Sequence, residues 1–341
     1  MIVKSKQFMG GERTNFANSD IEVSKLCFGA WGLSGIFGQS SEKELIRAVI
    51  NCLEKGVNFI DTARDYGESE RIVGKALREF KGEEPFLATK IQSKGPGMVR
   101  WGMPRDVEEV YPKGWITKSL DKSLRELGVE RVNLVQLHLY WSNWGLEGYW
   151  MDELQGLKEK GKIDFLGISL PDHRHENALV IANSGLIDSI QTIVNVFDPL
   201  AFDSLIPLCQ KKNIAVLARC VLDQGGLSGF LTQSTKFEEG DLRKTLFSER
   251  IREEYIARVD ALKQYIPLHA SSLTSLAIKF VLAHPGVTSA LISMHIEKFA
   301  NENIAVLDEP PLPDSVFQEI RTHHRWYKNL FNEVYWSDGI Y

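Results

Sequence analysis

Short apolar runs that stop at a polar or charged residue recur along this chain, and each is followed by a stretch with the spacing of an amphipathic helix. On this pattern strands are predicted at 25–29, 57–61, 85–90, 132–138, 163–168, 188–193, 214–218 and 287–292. Helices are predicted at 41–54, 68–80, 114–127, 149–160, 173–183, 201–211, 249–265, 271–283, 297–306 and 314–325. Ser41 followed three residues later by Glu44 has the spacing of a capping box, and Gly56 closes that helix. Residues 1–14 hold a short extended piece interrupted by Gly10-Gly11, which reads as a hairpin turn able to plug one end of a larger fold. The stretch 220–250 is a long insertion rich in glycine and polar residues, and an aromatic tail follows the last helix.

Nearly uncharged strands alternating with helices require a parallel sheet covered by helices, and eight such units close into an α/β fold of the (β/α)8 TIM barrel type. The expected architecture is one barrel domain over residues 1–341, with an N-terminal hairpin, a long loop after the seventh strand, and a C-terminal helix and tail. An open doubly wound sheet is the structural rival; against it, no GxGxxG follows an early strand. In a barrel the strand ends all face one mouth, so residues far apart in sequence meet there.

Composition narrows the function classes. The formal net charge of −5, without a Lys/Arg-rich block, argues against a nucleic-acid partner. No apolar run approaches the roughly 20 residues that cross a bilayer, and the N-terminus lacks an apolar core of signal-peptide length, so a cytoplasmic protein without membrane association is expected. The four cysteines, Cys27, Cys52, Cys209 and Cys220, show no CxxC spacing and read as reduced thiols. His173, His175, His323 and His324 lack partners at metal-ligand spacing, so no metal site is assigned.

Candidate chemistry centres on Asn58-Phe59-Ile60-Asp61-Thr62-Ala63-Arg64-Asp65-Tyr66-Gly67, where an apolar run stops at an acid and a tyrosine follows five positions later. A tyrosine is a poor acid at neutral pH, its unperturbed pKa being about 10, so its use as a proton donor calls for a nearby cation. Lys90 ends the predicted strand 85–90, and His138 ends the strand 132–138. Taken singly, Asp61 reads as a helix cap, Lys90 as a surface lysine, Tyr66 as a packing aromatic and His138 as a satisfied structural histidine. Together, four residues of complementary acid–base character fall on one rim.

At this point the chain resembles the aldo-keto reductase family over essentially its whole length. The matching segments are Phe59-Ile60-Asp61-Thr62-Ala63 with Tyr66-Gly67, Ala88-Thr89-Lys90, Ser123-Leu124-Arg125-Glu126-Leu127-Gly128 leading to Leu137-His138, Gly161-Lys162-Ile163 with Leu166-Gly167-Ile168-Ser169, Gln191 with Asn195, and Gly225 to Gly229. The resemblance implies an oxidoreductase that uses a nicotinamide cofactor to reduce a carbonyl to an alcohol, or the reverse. It makes Tyr66 the general acid/base, Lys90 the cation that lowers its pKa, Asp61 the counter-ion of Lys90, and His138 the group that orients the substrate oxygen. It assigns Gly29, Ala30, Trp31, Asp61, Ser169, Gln191, Arg219, Cys220, Leu222, Gln224, Gly226, Ser293, His295 and Asn303 to the cofactor.

Three departures from the family pattern fall on that cofactor side. Leu170 stands where an asparagine commonly grips the carboxamide, Arg219 replaces a stacking aromatic with Cys220 in place of a serine, and His295 replaces an arginine suited to the 2′-phosphate. NADP(H) is expected from the resemblance, with NAD(H) as the competitor because of His295. For the substrate, a small carbonyl or alcohol, the resemblance points to loops 93–113 and 139–150 and the tail beyond about 325. Trp31, Tyr66, His138, Trp141 and Trp144 are the candidate contacts, the last two as a stacking surface for a sugar ring or an aromatic carbonyl, or as simple packing. Phe237 to Lys244 reads as a solvated loop or as a lid that brings Arg243 or Lys244 to a pyrophosphate. Two other readings stay open: a cofactor-bound redox sensor with little turnover, and a proton-driven isomerisation or elimination on an activated sugar. Oligomeric state is not legible.

Overall fold

The structure, a computed structural model, describes residues 12–94 and 104–326. Two short antiparallel strands come first, β1 (Arg13–Asn15) and β2 (Glu22–Ser24). Eight parallel strands then close into a barrel: β3 (Leu26–Gly29), β4 (Phe59–Asp61), β5 (Phe86–Ile91), β6 (Val132–Leu137), β7 (Ile163–Ser169), β8 (Ser189–Ile193), β9 (Ala215–Arg219) and β10 (Ser289–Ser293). Neighbours in sequence are neighbours in space, and β10 pairs back onto β3, Ser293 opposite Gly29. The expected (β/α)8 barrel is what the chain forms, and the open sheet is excluded by that closing pair.

Local chemistry accounts for the elements. Ser41 and Glu44 form the capping box reciprocally at the start of the helix Glu42–Glu54, Ser41 N donating to Glu44 Oε2 at 2.9 Å and Glu44 N to Ser41 Oγ at 3.3 Å. Gly128, at φ 72°, closes the helix Trp115–Leu127 in the left-handed conformation that a side chain disfavours. Every residue of β5 is buried, including Thr89 and Lys90, because the strand lies between the barrel interior and the helical layer.

An N-terminal plug is present, formed by a hairpin that the sequence pattern did not single out. The hairpin is β1 and β2, joined through 16–21, and its tip drives Phe16 into the end of the barrel remote from the mouth; Gly10-Gly11 lie outside the described residues. Phe16 is fully buried, its ring 4.5 Å from Phe86, 5.0 Å from Phe165 and 6.1 Å from Phe59. These rings, with Cys27, Ala88, Leu134, Ala215, Leu217 and Leu291, fill the lower barrel interior.

Several predicted helices are divided. The segment 201–211 splits into a 3-10 turn Leu200–Asp203 and a helix Leu205–Lys211, because Pro207 has no N–H to continue a helix and is tolerated only in a first turn. Similarly, 173–183 becomes His175–Ala178 and Leu179–Ser184. The helix Glu249–Ala261 tightens into a 3-10 turn, Leu262–Tyr265, and ends where Ile266, preceding Pro267, is extended. Loop 93–113 contains a single-turn helix, Val107–Val110, while 95–103 lie outside the described residues. Among the described residues no helix is long and apolar enough to cross a membrane, and no three His, Cys, Asp or Glu side chains are grouped to hold a metal ion.

Candidate active site

At the mouth, the strand ends bring Asp61, Tyr66, Lys90 and His138 together. Lys90 points into the barrel from β5 and is fully buried. Its ammonium donates to Asp61 Oδ2, to the Thr62 carbonyl at 2.9 Å and to the Tyr66 hydroxyl at 3.2 Å. The same ammonium lies 4.7 Å from the Tyr66 ring centroid. His138, just past β6, sets its ring edge-on to Tyr66 at 5.7 Å, and its Nδ1 donates to Asp65 Oδ2 at 3.0 Å. Trp31 forms a further wall, 6.1 Å from the Tyr66 ring and only half-buried.

Sequence reasoning missed Gln136 in the floor of this site, and assigned Gln191 to the cofactor without its contact to Asp61. Gln136 Nε2 donates to Asp61 Oδ1 at 2.9 Å, and Gln191 Nε2 donates to the same oxygen at 3.1 Å and to Gln136 Oε1 at 3.2 Å. Asp61 therefore has both oxygens engaged inside the barrel, one by a cation and one by two amides. A buried ion pair is tolerated when its remaining lone pairs are satisfied in this way. The signal for Gln136 was present: a polar residue two positions before His138, hence on the same strand face, in an otherwise apolar run.

The electrostatics revise one expectation. Burial alone would push the Lys90 amine down, but the Asp61 carboxylate, and after it the Tyr66 hydroxyl, hold it above its ordinary value of 10.5. Burial raises the phenol of Tyr66, Lys90 lowers it and Asp61 raises it again, so Tyr66 sits above its ordinary value of 10.0 rather than below it. Removal from water outweighs the neighbouring cation, and the phenol is firmly protonated at neutral pH.

Residues assigned to a cofactor fall into separate groups around the mouth. Ser169, at the end of β7, stands opposite Gln191 in register, and its hydroxyl is buried without a hydrogen-bond partner. Such an orphaned group costs free energy unless a ligand satisfies it, so this corner fits the amide of a nicotinamide. Leu170, next in the chain, is buried in the apolar core and offers no second amide contact. Arg219 is turned to protein partners: its Nη2 donates to the Leu170 carbonyl at 2.9 Å and to Asp172 at 2.6 Å, and its Nη1 to Cys220 Sγ at 3.4 Å. Burial pushes the Cys220 thiol up to about 11, with Arg219 opposing. Cys220 and Gln224 both have positive φ in the turn after β9, and Gln224 Nε2 donates to Cys220 Sγ at 3.5 Å. Leu222 is half-buried there, its carbonyl accepting from Gly225 and Leu227. Gly226 needs its bare Cα for a protein reason, since a Cβ would lie 2.1 Å from the Tyr255 hydroxyl.

On the other side, Ser293 Oγ and His295 Nδ1 are 2.9 Å apart, and a Cβ on Gly32 would meet both within 2.3 Å. Burial, with Arg243 nearby, pushes His295 down to about 4, so its imidazole is neutral at physiological pH. Gly29 lies against the Ile292 backbone, Ala30 is buried with its carbonyl accepting from Ser69 Oγ, and Asn303 is buried in the helix Glu297–Ala305. The segment 237–244 reaches this corner: Leu242 N donates to Ile36 O at 3.4 Å, and Arg243, paired with Asp241, donates to Phe37 O at 3.2 Å. Lys244 pairs with exposed Glu239 at 3.1 Å.

Trp141 and Trp144 are buried in the main apolar core. Trp144 meets Tyr111 and Tyr140 edge-on at 5.6 and 5.7 Å and donates its Nε1 to Arg105 O at 2.6 Å, the packing alternative raised by the sequence. Of the aromatic tail, Trp326 packs 5.5 Å from Phe197; Tyr327, Phe331, Tyr335, Trp336 and Tyr341 lie outside the described residues. A cavity of about 70 Å³ beside Trp326 is lined by His173, Asp198 and Arg325 among others and by no member of the Asp61 cluster.

Comparison with known proteins bears on the family and the fold. The model of the Aldo/keto reductase family matches residues 25–325. The chain is 29% identical over 300 residues to an aldo-keto reductase of Bacillus subtilis, YhdN, covering 82% of this chain and 84% of that protein. It is 27% identical over 306 residues to the NADH-specific methylglyoxal reductase of Escherichia coli, covering 85% and 91%. The solved glycerol dehydrogenase of Gluconobacter oxydans superposes with a TM-score of 0.75 at 27% identity, covering 92% of this chain and 95% of that one. The chain belongs to the aldo/keto reductase family, the NAD(P)-dependent oxidoreductases that interconvert carbonyls and alcohols.

Proposed function

We propose that this enzyme reduces a small carbonyl compound with Tyr66 as the proton donor. The observation that carries the reading is the Tyr66 hydroxyl 3.2 Å from a Lys90 ammonium that is itself held by Asp61. A bound nicotinamide supplies the hydride. As the carbonyl oxygen gains negative charge, Tyr66 delivers its proton there, and Lys90 stabilises the phenolate left behind. His138, held through Nδ1 by Asp65, orients that oxygen. In the oxidative direction the phenolate takes the proton back. Ser169 and Gln191 would hold the carboxamide, Ser169 with a hydroxyl that lacks a protein partner.

For the second half of the cofactor, the site chemistry favours NAD(H) over the NADP(H) suggested by the sequence resemblance. A neutral His295 gives a 2′-phosphate no charge to pair with, and the nearby Arg243 is already engaged by Asp241. The relatives named for methylglyoxal and glycerol direct the substrate search to small oxygenated carbonyls. The test is oxidation of NADH and of NADPH with a panel of small aldehydes, dicarbonyls and hydroxyketones. Turnover lost in Tyr66→Phe supports the reading, and an active Tyr66→Phe enzyme refutes it. Arg219, spent on Asp172 and Leu170, favours one second reading, a redox sensor that binds cofactor tightly without turnover; cofactor binding with no oxidation by any carbonyl would select it.

A further inference from the structure

Strand β5 is gripped on both faces. Consecutive side chains on a strand point to opposite sides, so Lys90 enters the barrel while Thr89 faces outward to the helix Ser69–Glu79. Inside, Lys90 is held by Asp61 and the Thr62 carbonyl. Outside, Thr89 Oγ1 donates to Glu70 Oε1 at 2.7 Å. The other oxygen of Glu70 accepts from Arg64 Nη1, two residues before Tyr66. An acid in the first turn of a helix is ordinarily a solvated partner of the helix dipole. Glu70 is instead 1% exposed, and its two oxygens tie the loop that carries Tyr66 to the strand that carries Lys90. Neighbouring bonds close the same seam. Thr62 Oγ1 and Ser69 Oγ are 2.7 Å apart, Ser69 N donates to the Tyr66 carbonyl at 2.9 Å, and Arg64 N donates to the Lys90 carbonyl at 3.4 Å.

We propose that Glu70 is a positioning residue for the reaction: by holding Arg64 and Thr89 at once, it sets the Tyr66 hydroxyl within reach of the Lys90 ammonium. The inference rests on the proposed role of Tyr66 and adds the group that keeps it in place. Glu70 touches no reacting atom. Its effect is on the fraction of enzyme in which phenol and ammonium are aligned, so it acts on kcat with little effect on how tightly cofactor or substrate binds.

Two variants test it. Glu70→Gln keeps an oxygen for Thr89 and removes the charge that holds Arg64; Thr89→Val keeps the volume and removes the hydroxyl. A displacement of about 1 Å among reacting groups costs on the order of 100-fold, so Glu70→Gln is expected to lower kcat by about that factor and Thr89→Val by less, with KM for cofactor within about twofold of wild type. Amide hydrogen exchange across residues 61–68 should accelerate in both variants and stay unchanged in the strands on the far side of the barrel. A folded variant with wild-type exchange in that loop, or with faster exchange but wild-type kcat, overturns the proposal. Should Glu70→Gln fail to fold, Thr89→Val decides by the same two readouts. A wild-type protein silent with every carbonyl, whose loop still loosens in the variants, refutes the reaction rather than the clamp.

Discussion

At the scale of single residues, the site is a chain of dependencies. The phenol of Tyr66 needs Lys90, Lys90 needs Asp61, and Asp61 needs the amides of Gln136 and Gln191. Removing the hydroxyl in Tyr66→Phe should lower turnover by about 100- to 10,000-fold, the usual contribution of a positioned general acid, while fluorescence titration of cofactor affinity stays nearly constant. His295→Arg should raise the preference for NADPH over NADH by about tenfold or more, read as the ratio of kcat/KM values, because it supplies a cation for the 2′-phosphate. The reacting groups were legible in the sequence because Asp61, Lys90 and His138 each stand at the polar end of an apolar run and Tyr66 follows Asp61 by five positions. Their supporters were not: Glu70 and Asp65 look like any acid near a helix start, and only the fold shows the one turned inward and the other held by a histidine.

Among elements, the eight strands could be read because a parallel barrel strand, buried on both faces, is a short apolar run. Helix interruptions were less legible, since at 201–211 a single proline decides where the helix restarts. The hairpin of β1 and β2 was not legible, because two three-residue strands carry almost no periodicity; the predicted Gly10-Gly11 turn lies outside the described residues. Its contribution is the Phe16 plug. Phe16→Ala removes a fully buried ring, and a loss of about 3–5 kcal/mol in unfolding free energy is expected, measured by urea denaturation. Because the plug lies at the opposite end from Tyr66, kcat of the folded variant should stay near wild type.

For the molecule as a whole, two pH effects follow. Reduction needs a protonated phenol, and burial places Tyr66 above 10.0, so the reductive rate should hold steady through neutral pH and fall only at strongly alkaline pH. The oxidative rate, which needs the phenolate, should instead climb with pH; stopped-flow measurement in both directions checks the pair. His295 affects stability. In the unfolded chain it takes a proton near 6.5, and in the folded protein only near 4, so between these values the unfolded state binds more protons and stability falls as pH falls. Above about 6.5 the effect vanishes. Thermal midpoints measured from pH 7 to pH 4 should drop more steeply for wild type than for His295→Gln.

The carboxylate of Asp61 carries one last consequence. It is moored to staves on three other parts of the barrel wall, through Lys90 on β5, Gln136 on β6 and Gln191 on β8. An anchorage shared by staves rather than by the segments above them leaves those segments open to grafting. Replacing 104–113 or 139–148 with the counterparts of a relative should redirect which molecules are turned over while the proton-delivering centre persists.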